Sequence, residues 1–265
     1  MPRLVLLTLH GMGVVEPDYY FDLQAGLAAR LGPQWADVSL QAVQYADIFQ
    51  TPEDQLWRDI GAAPQNTLRW RTARQFFLYR FADATAFERS YHVEPATYRA
   101  VQARIVDKLR HGFAACDGDP DTQLVVVAHS LGGQVFSSYA WDVMHRAPPA
   151  EATPVDAFCA LRRWSRFLTM GCNIPIFTAG LTRRRNFPMR PGFEWHNYYD
   201  PDDVLGWPLA QLDAECASYA AVQDHVVEID NPLTGWNPAC HTGYWSDAGL
   251  LDRFAAQLRQ ALVPS

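Results

Sequence analysis

The stretch "QLVVVAHSLGGQVFSSYA", residues 123–140, decides the fold. Leu124 to Ala128 form an unbroken apolar run, the mark of a strand buried on both faces. The run stops at His129-Ser130, two glycines follow Leu131, and a helical pattern continues from Gly133 to His145. Strand, abrupt turn and helix are the context of a nucleophile elbow, where a serine hydroxyl stands exposed at the tip of a strained turn. Such a turn needs small residues two before and two after the serine, because strand and helix approach closely there. Ala128 and Gly132 occupy those positions. The usual pattern is G-x-S-x-G, so Ala128 adds one methyl group to it.

Working outward, short apolar runs alternate with helical patterns, which predicts an α/β fold with a mostly parallel sheet flanked by helices. Strands are expected at Arg3–Leu9, Val38–Tyr45, Gln123–Ala128, Phe167–Gly171, Glu194–Tyr199 and Val226–Ile229. Helices are expected at Phe21–Leu31, Tyr98–Ala115, Gly133–His145, Leu209–Val222 and Asp247–Leu262. No repeat or Gly/Ser linker divides the 265 residues, so a single domain over 1–265 is expected. Residues 51–91 differ in composition. Trp70, Phe76, Phe77, Tyr79, Phe81, Phe87 and Tyr91 crowd this stretch. It reads either as a helical cap offering apolar area to a substrate or as a helix packed on the sheet.

Composition narrows the classes. Apolar residues make up 49% and charged residues 19%, which fits a globular chain rather than a disordered one. A net charge of −7 argues against nucleic-acid binding, and no run reaches the length of a membrane-spanning helix. The cationic run "RRRNFPMR" (183–190) reads as a solvated loop. Five scattered cysteines without C-x-x-C spacing suggest free thiols, and with no convincing export signal the expected location is cytoplasmic.

A serine nucleophile needs a base, a third group to orient that base, and donors for the oxyanion. The amide of Leu131, at the start of the helix after Ser130, is one candidate donor. The other is the amide of Met12 in "TLHGMGV" (8–14), the turn after the first strand. In this architecture the chain order is serine, acid, histidine. His241 follows the last strand and a long loop, whereas His145 ends the elbow helix and His196 lies inside a strand. His225 is placed at the beginning of a strand, the wrong end, and His129 is read as packing. The acid should lie in "YYDPDDVLGWPL" (198–209), where Asp200, Asp202 and Asp203 compete. These aspartates lack the spaced ligands of a calcium loop, so no metal is expected.

These motifs resemble the α/β-hydrolases, and more narrowly the fungal-lipase-like (class 3) branch of serine lipases and esterases. In that branch the acid stands in D-[IV]-V-x-x-P and the histidine opens H-x-x-x-x-Y-W. "DVLGWP" (203–208) and "HTGYW" (241–245) are similar to these segments. The resemblance implies Asp203 as the acid, with Asp202 the alternative. It also implies a small-molecule ester or acyl substrate, and no cofactor. The same acyl-serine chemistry would serve acyl transfer or thioester and amide cleavage. A binding protein that keeps the fold without catalysis is the remaining alternative.

Overall fold

A computed structural model describes residues 1–13, 15–62, 69, 71, 75, 78, 96–147, 151–180, 184, 186–213, 217–229 and 240–263. Six strands form one sheet: β1 Leu4–Leu9, β2 Val38–Val43, β3 Gln123–His129, β4 Trp164–Met170, β5 Glu194–Tyr199 and β6 Val222–Val226. Their order is β2-β1-β3-β4-β5-β6, and every neighbouring pair is parallel. The sequence of β1, apolar at every position but Thr8 and buried throughout, follows from its place between β2 and β3 with helices on both faces.

Because side chains alternate across a strand, the sheet divides its apolar residues between two cores. Val5, Leu7 and Leu9 join Leu124, Val126 and Ala128 on one face. Helices α3 (Ala96–Ala115) and α4 (Leu131–His145) cover that face with Val101, Ile105, Leu109, Val135 and Phe136. Leu4 and Leu6 join Val125, Val127, Leu168 and Met170 on the other. There α1 (Phe21–Leu31) contributes Leu23 and Leu27, and α8 (Ala248–Leu262) contributes Leu250, Phe254 and Leu258. The long α2 (Ala46–Ala62) follows β2. Between β3 and β6 lie the short helices α5 (Pro154–Cys159), α6 (Ile174–Thr178) and α7 (Ala217–Ala220). No helix among the described residues is long and apolar enough to cross a membrane.

Most predicted elements lie within a few residues of their observed limits, with two corrections. The helix expected over Leu209–Val222 is not formed. The amides of Leu209 and Ala210 donate to the Asp224 carboxylate at 2.9–3.0 Å, which pins its start as a loop, and among the described residues of the stretch only Ala217–Ala220 are helical. The last strand runs Val222–Val226 rather than Val226–Ile229. Val227 and Ile229 are buried past its end, in the core under α8. Their apolar spacing marks burial, while the ladder itself is set by pairing with β5. In the cationic run, Arg184 donates to the carbonyls of Thr178 and Leu212, and Arg190 to those of Leu161 and Ala160, so both side chains brace neighbouring loops instead of standing in solvent. Residues 51–62 of the expected cap belong to α2, and all seven aromatics named above lie outside the described residues.

Candidate active site

Ser130 sits between β3 and α4 with φ 53° and ψ −122°, a left-handed conformation that costs a non-glycine residue energy. Two contacts hold it there. Its amide donates to the carbonyl of Met170 at the end of β4, at 3.0 Å. On the other side, Gly132 lies so close to β1 that a Cβ on it would stand 2.6 Å from the His10 carbonyl oxygen and 2.9 Å from that of Leu9. Only glycine fits this approach, which is the demand the sequence motif announces. Ala128 is accommodated within the core, fully buried between Leu9 and Thr169 on the neighbouring strands.

The turn after β1 meets the elbow directly. A Cβ on Gly11 would lie 2.9 Å from that of Ser130, which brings the segment carrying Met12 beside the serine. His10 fixes this turn. Its Nδ1–H donates to the Gly11 carbonyl at 2.8 Å, and its Nε2 accepts the Tyr45 amide at 3.2 Å. The Tyr45 hydroxyl donates to the His10 carbonyl, and the two rings stack at 3.9 Å. Burial lowers the His10 pKa to about 4, so the ring is neutral in the tautomer that both bonds require.

The structure brings His241 and Asp203 together. Nδ1–H of His241 donates to Asp203 Oδ2 at 2.8 Å, and both side chains are buried. Asp203 Oδ2 also accepts the Tyr244 hydroxyl at 2.9 Å, and Oδ1 accepts the Leu205 amide at 3.0 Å. Burial pushes the Asp203 carboxyl up, but the bonds from His241, Leu205 and Tyr244 outweigh it and hold the pKa below the ordinary value. Asp202 is exposed, and its amide donates to Asp200. Asp200 is itself spent on backbone, accepting the amides of Asp202 and Ile229. Of the three competing carboxylates, Asp203 alone reaches the histidine.

Residues the sequence reading passed over complete the arrangement. Cys240–Trp245 is a 3-10 helix, in which residues three apart eclipse one another. Tyr244 therefore shares a face with His241, and its hydroxyl also accepts the Asp200 amide at 2.9 Å. The spacing in "HTGYW" is the signal that pointed to it. His129, expected only to pack, also donates from Nε2 to the His241 carbonyl at 2.6 Å, and its ring lies 4.6 Å from that of His241. His225 is the penultimate residue of β6, at its carboxyl end rather than its beginning. Its Nε2 lies 3.0 Å from Nδ1 of His196, whose Nε2 meets Glu194 at 3.1 Å, so these two histidines serve each other. Among the described residues no group of three His, Cys, Asp or Glu side chains is arranged to hold a metal ion.

A buried asparagine stands across from these groups. Asn173, three residues beyond β4, donates from Nδ2 to Ser130 Oγ at 3.4 Å. His241 Nε2, the nitrogen facing away from Asp203, is buried without a hydrogen-bond partner.

A parallel sheet with the serine after its central β3, the carboxylate after β5 and the histidine after β6 defines an α/β-hydrolase fold. No family profile matches the chain, and no curated protein does. Solved structures of similar fold are distant. An acetylxylan esterase has 13% identity and TM-score 0.46, over 98% of this chain and 99% of that one. A cutinase-like protein from Cryptococcus sp. has 14% identity and TM-score 0.46, over 99% and 96%. A protein described as a hydrolase of the α/β superfamily, from Xanthomonas campestris pv. campestris, has 14% identity and TM-score 0.45, over 98% and 100%.

Proposed function

We propose that this protein hydrolyses carboxylic esters through an acyl-serine intermediate. Ser130 is the nucleophile, His241 the general base and Asp203 its orienting acid. The observation that carries this reading is the buried Asp203–His241 pair at 2.8 Å, tied to the strained elbow of Ser130 through the bond from the adjacent His129 to the His241 carbonyl. With Nδ1–H committed to the carboxylate, His241 Nε2 is left as an acceptor. It takes the Ser130 proton as Oγ attacks the carbonyl carbon, and returns it to the leaving alkoxide. Asp203 stabilises the imidazolium formed in between. Water then attacks the acyl-serine, again giving its proton to Nε2, and the imidazolium returns that proton to Ser130 Oγ as the acyl–oxygen bond breaks and the carboxylic acid leaves.

The amides of Leu131 and Met12 receive the oxyanion, one at the first residue of α4 and the other on the turn that Gly11 presses against the serine. In the resting arrangement the serine hydroxyl accepts from Asn173 and Nε2 has no partner, so the Oγ–H···Nε2 bond forms as attack begins. The substrate is a small-molecule ester, and apart from the attacking water the groups that carry the cycle are side chains and amides of this chain.

Labelling with a fluorophosphonate tests the reading. The intact protein should form a stable adduct on Ser130 and hydrolyse nitrophenyl esters. Ser130→Ala should lose both while keeping its melting temperature within a few degrees. An intact, folded protein that neither labels nor turns over esters would refute it.

A further inference from the structure

Asn173 is fully buried, yet only half of its carboxamide is used. Nδ2 reaches Ser130 Oγ, and Oδ1 has no hydrogen-bond partner. Leaving such an acceptor unpaired costs about 1–3 kcal/mol, so a buried orphan beside a nucleophile asks for a ligand group. Its place in the sheet says which part of a substrate that group belongs to. β3, which ends in the serine, lies between β1 and β4. The oxyanion amide of Met12 comes from the β1 side. Asn173 comes from the β4 side, and so does the wall against His241, whose Cε1 lies 3.1 Å from where a Cβ on Gly171 would be. His241 must deliver its proton to the leaving oxygen, so the alcohol portion of the ester lies on the same side as Asn173.

We infer that Asn173 is a specificity-determining residue that binds a hydroxyl on the alcohol portion of the substrate, next to the scissile ester. The inference rests on the ester-hydrolase reading and names its substrate class: 2-hydroxyalkyl esters of polyols, in preference to plain alkyl esters. A hydroxyl both donates and accepts, so it satisfies the orphan oxygen and can take over the Nδ2–H that Ser130 gives up when it attacks. An alkyl group in the same place leaves the carboxamide unpaired, and a site built around a substrate hydroxyl discriminates strongly against the analogue lacking it.

The test compares two esters of nearly equal size, 2-hydroxyethyl butyrate and propyl butyrate, by proton release with the full chain. The ratio of their kcat/KM values is normalised to that of their alkaline hydrolysis rates. The wild type should favour the hydroxyethyl ester about 10-fold or more. In Asn173→Ala the ratio should fall to near 1, because the hydroxyl loses its partner while the alkyl ester loses none. A wild-type ratio near 1 overturns the inference without any variant, as does a preference that survives in Asn173→Ala. Fluorophosphonate labelling of both proteins separates the cases. Wild type that labels and cleaves both esters equally refutes the role of Asn173 alone, whereas wild type that neither labels nor cleaves refutes the hydrolase reading on which it rests.

Discussion

His10 should make this protein acid-sensitive through the turn that carries Met12. The ring is buried and neutral, donating from Nδ1 to Gly11 and accepting at Nε2 from Tyr45. Its pKa falls from 6.5 to about 4 because burial disfavours the charged ring. Between those values the unfolded chain binds a proton that the folded chain refuses, so stability falls as pH falls through this window. Each pH unit there is worth at most 1.36 kcal/mol, which gives a loss of about 3 kcal/mol from pH 7 to pH 4. Urea denaturation at several pH values should show this loss in the wild type. In His10→Phe the ring stack on Tyr45 is kept but the titrating group is gone. That variant should be less stable at pH 7, having lost the His10 bonds to the Tyr45 amide and the Gly11 carbonyl, and its pH dependence should be shallower by the same amount. His225, whose pKa burial also lowers, and Asp203 remain in both proteins and cancel in the comparison. Equal slopes for the two proteins between pH 6.5 and 4 would refute the argument.

Tyr244→Phe removes a donor from Asp203 and an acceptor from the Asp200 amide. It should lower the melting temperature by several degrees, and it should let the Asp203 carboxyl, which the Tyr244 hydroxyl helps to hold low, titrate at higher pH in a carboxyl-resolved NMR titration. Asp203→Asn should reduce turnover by about 10⁴-fold, as loss of the orienting acid does in other triads, while Asp202→Asn at its exposed position should change turnover less than about twofold. Gly132→Ala drives a methyl group into the His10 carbonyl. Thermal unfolding should register a cost of about 1–3 kcal/mol, and fluorophosphonate labelling should slow as β1 and the elbow are forced apart.

Local physics in the chain announced most of this architecture. The apolar runs that become β1 and β3 admit no other reading once helices must cover both faces, and the spacing of Ala128, Ser130 and Gly132 reports how closely β1 and α4 approach. Downstream, periodicity misled. The apolar positions from Leu209 to Val222 have a helical pattern, but the Asp224 carboxylate offers their amides better partners, and a carboxylate 14–15 residues away leaves no trace in local periodicity. The apolar run from Val226 to Ile229 places His225 at the start of a strand, whereas it lies near the end of β6. What removes it from the serine is its bond to His196, a contact 29 residues apart in sequence.

The sequence by itself determined the order of chemistry along the chain: a serine at a strand-to-helix turn, then a carboxylate, then a histidine, each after a strand. That order is legible because each step depends on neighbours within a few residues. Choosing among Asp200, Asp202 and Asp203 needed the tertiary structure, since three carboxylates in one loop differ only in which of them is buried against His241. Tyr244 and His129 were drawn into the site by the same packing. Asn173 was hidden most completely. It is an ordinary polar residue after a strand until the sheet sets β4 beside β3, 43 residues away, and leaves one end of its carboxamide on the serine and the other without a partner.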